Sequence, residues 1–380
     1  MKGQNLISVY IGGNMSEGKG LKQVKAERAA KKKKARRRKR TIFLLVELIV
    51  FVVLVGVGYV MMKYGKFQLN MFDDKDIQFN QGVVHTGYTT IALFGGDSRE
   101  GQLEAGTHAD TMILASIDNA TKEVKLLSVY RDLITSQDDE MRKANSAYFL
   151  GGPKAAINML NHNFDLNIKD YVTVDFKAMA DAVDLLGGIE LHVSQEEAEE
   201  INRHIVGSGQ AVGKPAKLMG EGLQTLDGVQ ALTYARIRKN VGGDYARTGR
   251  QREVIQKLAE KAKQTDLLTL NKIIDKVFPQ ISTSFSLKKL LALGKDVLRY
   301  QIGETSGYAF EYTDGVVEGL GSVVIPLGHV ENVQELHEFL YPKSTYSPSD
   351  TVKEIAQKIE ELTGYTRDDY KSQETTTDTE

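Results

Sequence analysis

The sequence predicts a layered α/β domain preceded by a single membrane-spanning helix. Three observations carry that expectation. An apolar run fills residues 41–62, short strand patterns alternate with helical ones from residue 89 onward, and residues 231–251 concentrate arginine between a strand pattern and a helix pattern.

At 380 residues the chain has room for one large domain or two moderate ones. Its net charge of −1 hides a sharp division. Residues 1–63 carry 15 Lys/Arg against 3 Asp/Glu, whereas residues 64–380 carry 34 against 47. There is no cysteine, so disulfides and thiolate chemistry are excluded, which is compatible with a Gram-positive protein working outside the cytoplasm. Nine of the ten residues at 31–40 are basic, and the following run, TIFLLVELIVFVVLVGVGYVMM, is apolar except for Glu47. A helix of that length rises about 33 Å, enough for a hydrocarbon layer of about 30 Å. The basic arm predicts a cytoplasmic N-terminus, and no A-x-A-like cleavage site follows, so an uncleaved signal anchor in the cell membrane is expected, with the C-terminal domain outside. Attraction to anionic lipid accounts for the arm without nucleic acid, since no recognition-helix pattern accompanies the charge.

Residues 63–87 read as an extracellular stalk with room for one short strand. A strand pattern at 89–94 runs into GGDSRE at 95–100, where glycines permit close approach of a ligand to backbone. Strand patterns at 111–117 and 123–129 flank an Asp118-Asn119 turn; a hairpin there brings Asp110 beside Tyr130 and Arg131 at its open end. Asp97, at the end of another strand, can join them. Two carboxylates flanked by arginines form a candidate magnesium diphosphate site, the oxygens holding a hard cation and the guanidinium groups the phosphate oxygens. A helix is expected over 141–163, renewed at Pro153, then a strand within 165–175, a helix over 177–186 closed by Gly187-Gly188, and a strand at 189–193. Residues 196–203 read as a charged helix, 207–217 as a mobile loop, and Leu223, Leu226 and Val229 as a helical pattern. Further helices are expected at 246–264, 267–277 and 286–298, whose apolar residues suit either a core or a groove for a lipid tail. Short strands follow within 309–326, then helices at 331–341 and 349–362, the last capped by Ser349, and a disordered polar tail from 367 to 380.

The arginine segment is ALTYARIRKNVGGDYARTGRQ. Tyr234, Arg236 and Arg238 alternate with Ala235 and Ile237, which predicts a half-buried strand with two guanidinium groups on one face. Past Gly242-Gly243, Asp244, Arg247 and Gln251 recur at helical spacing. Together with Arg250 and Arg252 this aims several cations at one place, and the planar fork of arginine binds two phosphate oxygens at once, so a multiply charged anion is the expected ligand. There is no Walker loop and no zinc-ligand spacing; the seven histidines are scattered, and Ser98, His108 and Ser128 lack triad spacing.

Those strings resemble the LytR-CpsA-Psr family of cell-wall enzymes. The resemblance is carried by GGDSR at 95–99, ADTMIL at 109–114, RDL at 131–133, KANSAYFLGG at 143–152, DFKAMADAVDLLGGIELHV at 175–193 and LDGVQALTYARIRKNVGGDYARTGRQR at 226–252. It implies a three-layer α/β/α domain with a central mixed sheet, occupying residues 88–345 with its C-terminal extension and followed by a helix at 346–366. It also implies a phosphotransferase that moves a glycopolymer, such as teichoic acid or capsule, from a polyprenyl diphosphate carrier to peptidoglycan. Asp97 and Asp110 match the family's magnesium ligands, with manganese as a substitute. Arg99, Arg131, Arg236 and Arg238 match its diphosphate-binding arginines, and Asp244, Arg247 and Gln251 its further active-site positions. Asp110 or Asp132 is the expected proton acceptor. Tyr130 stands where proline commonly precedes the Arg-Asp pair, and His108 where arginine is frequent. Two other readings are carried forward: a polyprenyl diphosphate hydrolase using water, and a membrane-bound regulator of transcription or adhesion.

Overall fold

A computed structural model describes residues 33–34, 47–48, 51–83, 85–96 and 103–369. The chain divides into two compact units, residues 1–62 and 63–380. In the first, the described residues 51–62 are helical (α1). Of the expected anchor at 41–62, residues 41–46 and 49–50 fall outside the described residues, as do most of the basic arm at 1–40 and the tail from 370. Among the described residues no helix is long and apolar enough to cross a membrane.

The second unit is built on a seven-stranded mixed sheet in the order β1-β10-β7-β2-β3-β4-β11. Its strands are β1 Gln68–Leu69, β2 Tyr88–Gly96, β3 Ala109–Asp118, β4 Glu123–Val129, β7 Asp170–Asp175, β10 Ile281–Thr283 and β11 Gln301–Tyr308. Strict alternation along β3 sets the two faces. Met112 and Leu114 join Phe94, Leu127 and Tyr171 under helix α2, Ala144–Phe164, and helix α9, His329–Leu340. Ile113, Ala115 and Ile117 join Ile91 and Leu126 on the other face, against helix α6, Gly243–Lys263, and helix α8, Leu287–Gly294. The expected layered arrangement and the β3–β4 hairpin are both present. A second core of helices α3 Phe176–Leu185, α4 Gln195–Val212 and α5 Gly228–Tyr234 with the β8–β9 pair, Ile189–Val193 and Gly222–Leu226, lies beside the sheet.

Several local expectations are corrected. The helix expected from residue 141 begins at Ala144, because Ile134–Gln137 (β5) and Glu140–Lys143 (β6) form a hairpin whose turn puts Asp138 and Asp139 at positive φ. Within α2, Gly151 and Gly152 leave helical geometry just before Pro153, so the chain restarts there as the proline suggested. The loop expected at 207–217 is helical to Val212, and Leu223 and Leu226 lie on β9 rather than a helix. Strand β11 was not expected because only Ile302 and Tyr308 of its eight residues carry large apolar or aromatic side chains. A further hairpin, β12 Tyr312–Val317 and β13 Gly321–Pro326, packs with helix α10, Asp350–Thr363, which Ser349 caps through the Val352 amide. Residues expected to form the stalk supply β1, which pairs parallel with β10 at the sheet edge.

Helix α9 is fastened to the end of α2 by two buried imidazoles. His329 Nε2 bonds the Asn163 carbonyl at 3.0 Å and His337 Nε2 the Phe164 carbonyl at 2.8 Å. Burial holds both rings down to about 4, against the carbonyls' upward pull, from an ordinary value of 6.5. Neutral imidazole is therefore the folded form. The contribution is fully present above pH about 6.5 and is lost as pH falls toward 4. Urea midpoints should drop between pH 7 and pH 5, and the drop should be smaller in His329→Gln; an unchanged pH profile in that variant would discount this ring.

Candidate active site

The arginine segment owes its placement to helix α5. The Asp227 side chain accepts from the Val229 and Gln230 amides at 3.1 and 3.0 Å, and Gln230 Oε1 accepts from the Asp227 amide at 2.9 Å, a reciprocal cap. Gly228 then packs so closely on α3 that a Cβ there would collide with the Ala180 carbonyl. All seven residues of α5 are buried. The strand expected over 234–238 is a turn instead. The Thr233 carbonyl accepts from the amides of Arg236 and Ile237 at 2.9 and 3.0 Å, and among the described residues no strand pairs with the segment. The alternation survives in another form, with Ala235 and Ile237 sunk in the second core and Arg236 and Arg238 only partly covered.

Asn240, Gly242 and Gly243, all at positive φ, turn the chain into α6. Arg250 clamps that turn. Its guanidinium donates to the carbonyls of Ile237 at 2.6 Å and Val241 at 3.1 Å and reaches Glu197 at 3.3 Å. Arg252 is likewise spent, on Ser128 Oγ at 2.7 Å. Neither joins the site.

The other half of the site comes from strand ends. The β2–β3 register runs to Gly95↔Thr111 and then skips to Gly96↔Ala109, so Asp110 is the extra residue of a β-bulge. A bulge re-aims its side chain and interrupts pairing, a common device beside active sites. Gly95 is needed there, because a Cβ would stand 2.9 Å from Thr111 Cβ. At the end of β4, Arg131 donates to Asp110 Oδ1 at 3.0 Å and to Asp132 Oδ2 at 3.2 Å, while Lys143 Nζ reaches Asp132 Oδ1 at 3.1 Å. The hairpin thus closes Asp110 against Arg131 as its turn implied.

Asp244, in the first turn of α6, sits among three guanidinium groups: Arg247 at 2.9 Å, Arg238 at 3.3 Å and Arg131 at 3.9 Å. Arg247, 2 % exposed, also donates to the Asp110 carbonyl at 3.3 Å, linking α6 to the bulge. Burial pushes the Asp244 carboxyl above the usual carboxylate range, although Arg238 and Arg131 pull it down. Burial also lowers Arg238, with Arg131 adding to the effect and Asp244 and Asp110 opposing it. Arg131 moves the other way: burial works against its charge, but Asp110 and Asp132 outweigh that and hold it up. Of these two arginines, Arg238 is the less compensated cation.

Asp110, Thr111, Phe176, Arg236, Arg238, Arg247 and Gln251 line a cavity of about 200 Å³. The Arg236 guanidinium lies over the Phe176 ring, 4.4 Å from its centroid, and among the described residues it pairs with no carboxylate. Arg247 Nε and Gln251 Oε1 are buried without a hydrogen-bond partner, which is costly unless something in the cavity satisfies them. Of the expected site residues, Arg131, Asp132 and Asp244 stand behind this lining as supports, and Asp97 and Arg99 lie outside the described residues. Thr111, Phe176 and Lys143 were not singled out from sequence. Tyr130, in the unusual place before Arg131, packs edge-on to Tyr245 at 4.8 Å, and Gly307 leaves room for its hydroxyl.

Among the described residues no group of three or more His, Cys, Asp or Glu is placed to hold a metal ion. Among the described residues Asp110 is the one carboxylate lining the cavity, beside three arginines. That set fits magnesium only alongside a ligand bringing its own oxygens, which is how the ion commonly binds phosphates.

Residues 62–338 match the LytR_cpsA_psr family. The chain belongs to the LytR-CpsA-Psr family. Among its relatives, the polyisoprenyl-teichoic acid–peptidoglycan teichoic acid transferase TagU of Oceanobacillus iheyensis is 30% identical over 229 residues, covering 58% of this chain and 66% of that protein. The regulatory protein MsrR of Staphylococcus aureus is 31% identical over 192 residues, covering 50% of this chain and 54% of MsrR. The match therefore spans somewhat less than two thirds of the one and about half of the other. A crystal structure of a Streptococcus agalactiae protein shares the fold, with TM-score 0.58 and 23% identity over 71% of this chain and 93% of that one.

The close seat of Gly228 on α3 leaves no room for a side chain at this scaffold position of the site. Gly228→Ala is expected to cost about 1–3 kcal/mol in urea unfolding by overpacking, and to weaken anion binding by displacing the turn that follows α5. Wild-type stability in that variant would show that the contact is slack.

Proposed function

We propose that this protein is a membrane-anchored phosphotransferase acting outside the cytoplasm, moving a glycopolymer from a polyprenyl diphosphate carrier to peptidoglycan. The observation that carries this reading is the convergence of Arg236, Arg238 and Arg247 with Asp110 on one cavity. The name of TagU supports the substrate class, being that of a teichoic acid transferase acting on peptidoglycan. Charge supports it independently. Around the cavity Arg131, Lys143, Arg236, Arg238 and Arg247 meet only Asp110, Asp132 and Asp244, a surplus of two cations among the described residues. A diphosphate esterified at both ends carries about two negative charges, so it balances the site. The apolar faces of α6, α8 and helix α7, Leu267–Val277, keep Ile255, Leu258, Ile273, Leu290 and Leu293 half-exposed, which suits a long hydrocarbon tail.

In the transfer, a peptidoglycan hydroxyl oxygen attacks the phosphorus nearest the glycan. A new P–O bond forms, the bond to the bridging oxygen breaks, and polyprenyl phosphate leaves. The hydroxyl proton passes to Asp110 or Asp132. Arg236 and Arg238 hold the charge that builds on the phosphoryl and leaving oxygens, and Arg247 and Asp244 keep them oriented. Asp110 with Asp97 would hold magnesium or manganese, which would supply further charge neutralisation.

The test is to incubate the full chain with magnesium, a lipid diphosphate-linked polymer and peptidoglycan, and to analyse the products. Polymer joined to peptidoglycan by a phosphodiester is expected, with Arg236→Ala slowed about 10²–10³-fold and Arg236→Lys less so. Released polymer phosphate without ligation would make the protein a hydrolase. No turnover of either kind, with an unaffected cellular role in Arg236→Ala, would favour a regulator such as the name of MsrR suggests.

A further inference from the structure

Four large apolar side chains stand in water at one end of α7 and α8. Leu267 and Leu268, which open α7, are 82 % and 76 % exposed, and Val297 and Leu298, just past α8, are 55 % and 73 % exposed. The Lys263 ammonium donates to the Tyr300 carbonyl, which sets the α6–α7 turn beside the segment following α8 and brings the two pairs to one rim. Isolated exposed leucines are ordinary; a cluster of four marks an interaction surface.

Charge says what covers it. Residues 257–299 carry nine Lys/Arg against four Asp/Glu, inside a region, 64–380, that carries 34 against 47. Lys261 and Lys295 flank the apolar residues in sequence. Asp266 and Asp296 directly precede the two apolar pairs, and Lys276 and Lys289 are paired with Asp181 and Asp170, so Lys261 and Lys295 are the flanking cations left to accompany the leucines at an anionic lipid interface. The path of the chain agrees. Lys63, the residue directly after the apolar run at 41–62, and Lys66 both bind Asp275 of α7, the latter at 3.1 Å, and Tyr64 donates to the Phe285 carbonyl at 2.9 Å. The chain thus enters the domain on the last turn of α7, about two helical turns from Leu268 at its other end.

We propose that this rim seats on the surface of an anionic phospholipid bilayer, Leu267, Leu268, Val297 and Leu298 entering the interface and the lysines meeting the headgroups. The proposal rests on the anchored reading above and adds an orientation to it. Helix α6 runs from Asp244 to the rim, about 30 Å for its length, so the cavity is held that far above the lipid headgroups. A carrier lipid reaching the arginines must then leave much of its tail along the half-exposed side of α6.

The chain contains no tryptophan, so Leu268→Trp introduces a sole indole reporter. The full chain carrying it is reconstituted in phosphatidylglycerol vesicles with brominated acyl chains. The expected result is blue-shifted emission quenched at least twofold, with Lys261→Glu and Lys295→Glu together restoring aqueous emission. Val316→Trp, at a site 84 % exposed on β12, serves as control and should stay unquenched. Equal emission from the two reporters, while the chain still co-sediments with the vesicles, overturns the docking and leaves the anchor standing. A chain that does not co-sediment overturns both. Quenching as strong in phosphatidylcholine, unmoved by the two glutamates, overturns the anionic preference that defines the proposal.

Discussion

The site depends on keeping Arg247 charged and almost fully buried. Taking a guanidinium out of water costs several kcal/mol unless its partners are fixed in advance. Here the partners are the Asp244 carboxylate on the same helix and the Asp110 backbone carbonyl on β3. The pairing therefore sets the distance between the N-terminus of α6 and the bulge of β3, and with it the two sides of the cavity. Because Asp244 also touches Arg238 and Arg131, one carboxylate orients three cations that would otherwise repel each other. The cavity keeps its positive surplus without flying apart.

Around that pair the scaffold divides its arginines by task. Arg250 and Arg247 lie three residues apart on α6, yet the first is used up on backbone carbonyls of the turn while the second faces the cavity. Arg252 ties the helix to β4 through Ser128. Arg236 is treated differently again, supported by a ring rather than by acceptors. A guanidinium resting on Phe176 keeps its N–H groups for a ligand, which is the arrangement best suited to an anion that arrives and departs.

Much of the framework was legible in the residues because strong periodicities produced it. The alternation of β3 and β4, the Asp118-Asn119 turn and the Ser349 cap all survive in three dimensions. Residues 234–238 were misread because two buried positions alternating with two arginines look like a strand, whereas the amide hydrogen bonds go to Thr233. Strand β11 and the β5–β6 hairpin carry too little apolar contrast to be seen. Residue type alone nominated Asp110, but the bulge that aims it exists only in the register between two strands. In the same way, nothing about Phe176 or Lys143 in sequence separates a platform or a carboxylate's partner from ordinary helix and strand residues. Spacing likewise did not separate Arg250 from Arg247.

The manner in which the chain joins its sheet has a mechanical consequence. Residues 68–69 add to the outermost position beside β10, with two strands between them and β2 and three between them and β3. A tug at residue 63 is borne first by the lysine contacts to Asp275 and by that short edge pairing. Peeling β1 would dissipate the load before it reached the strands that position the arginines. Under the membrane-anchored reading proposed above, the domain would yield at its tether and keep the shape of its cavity.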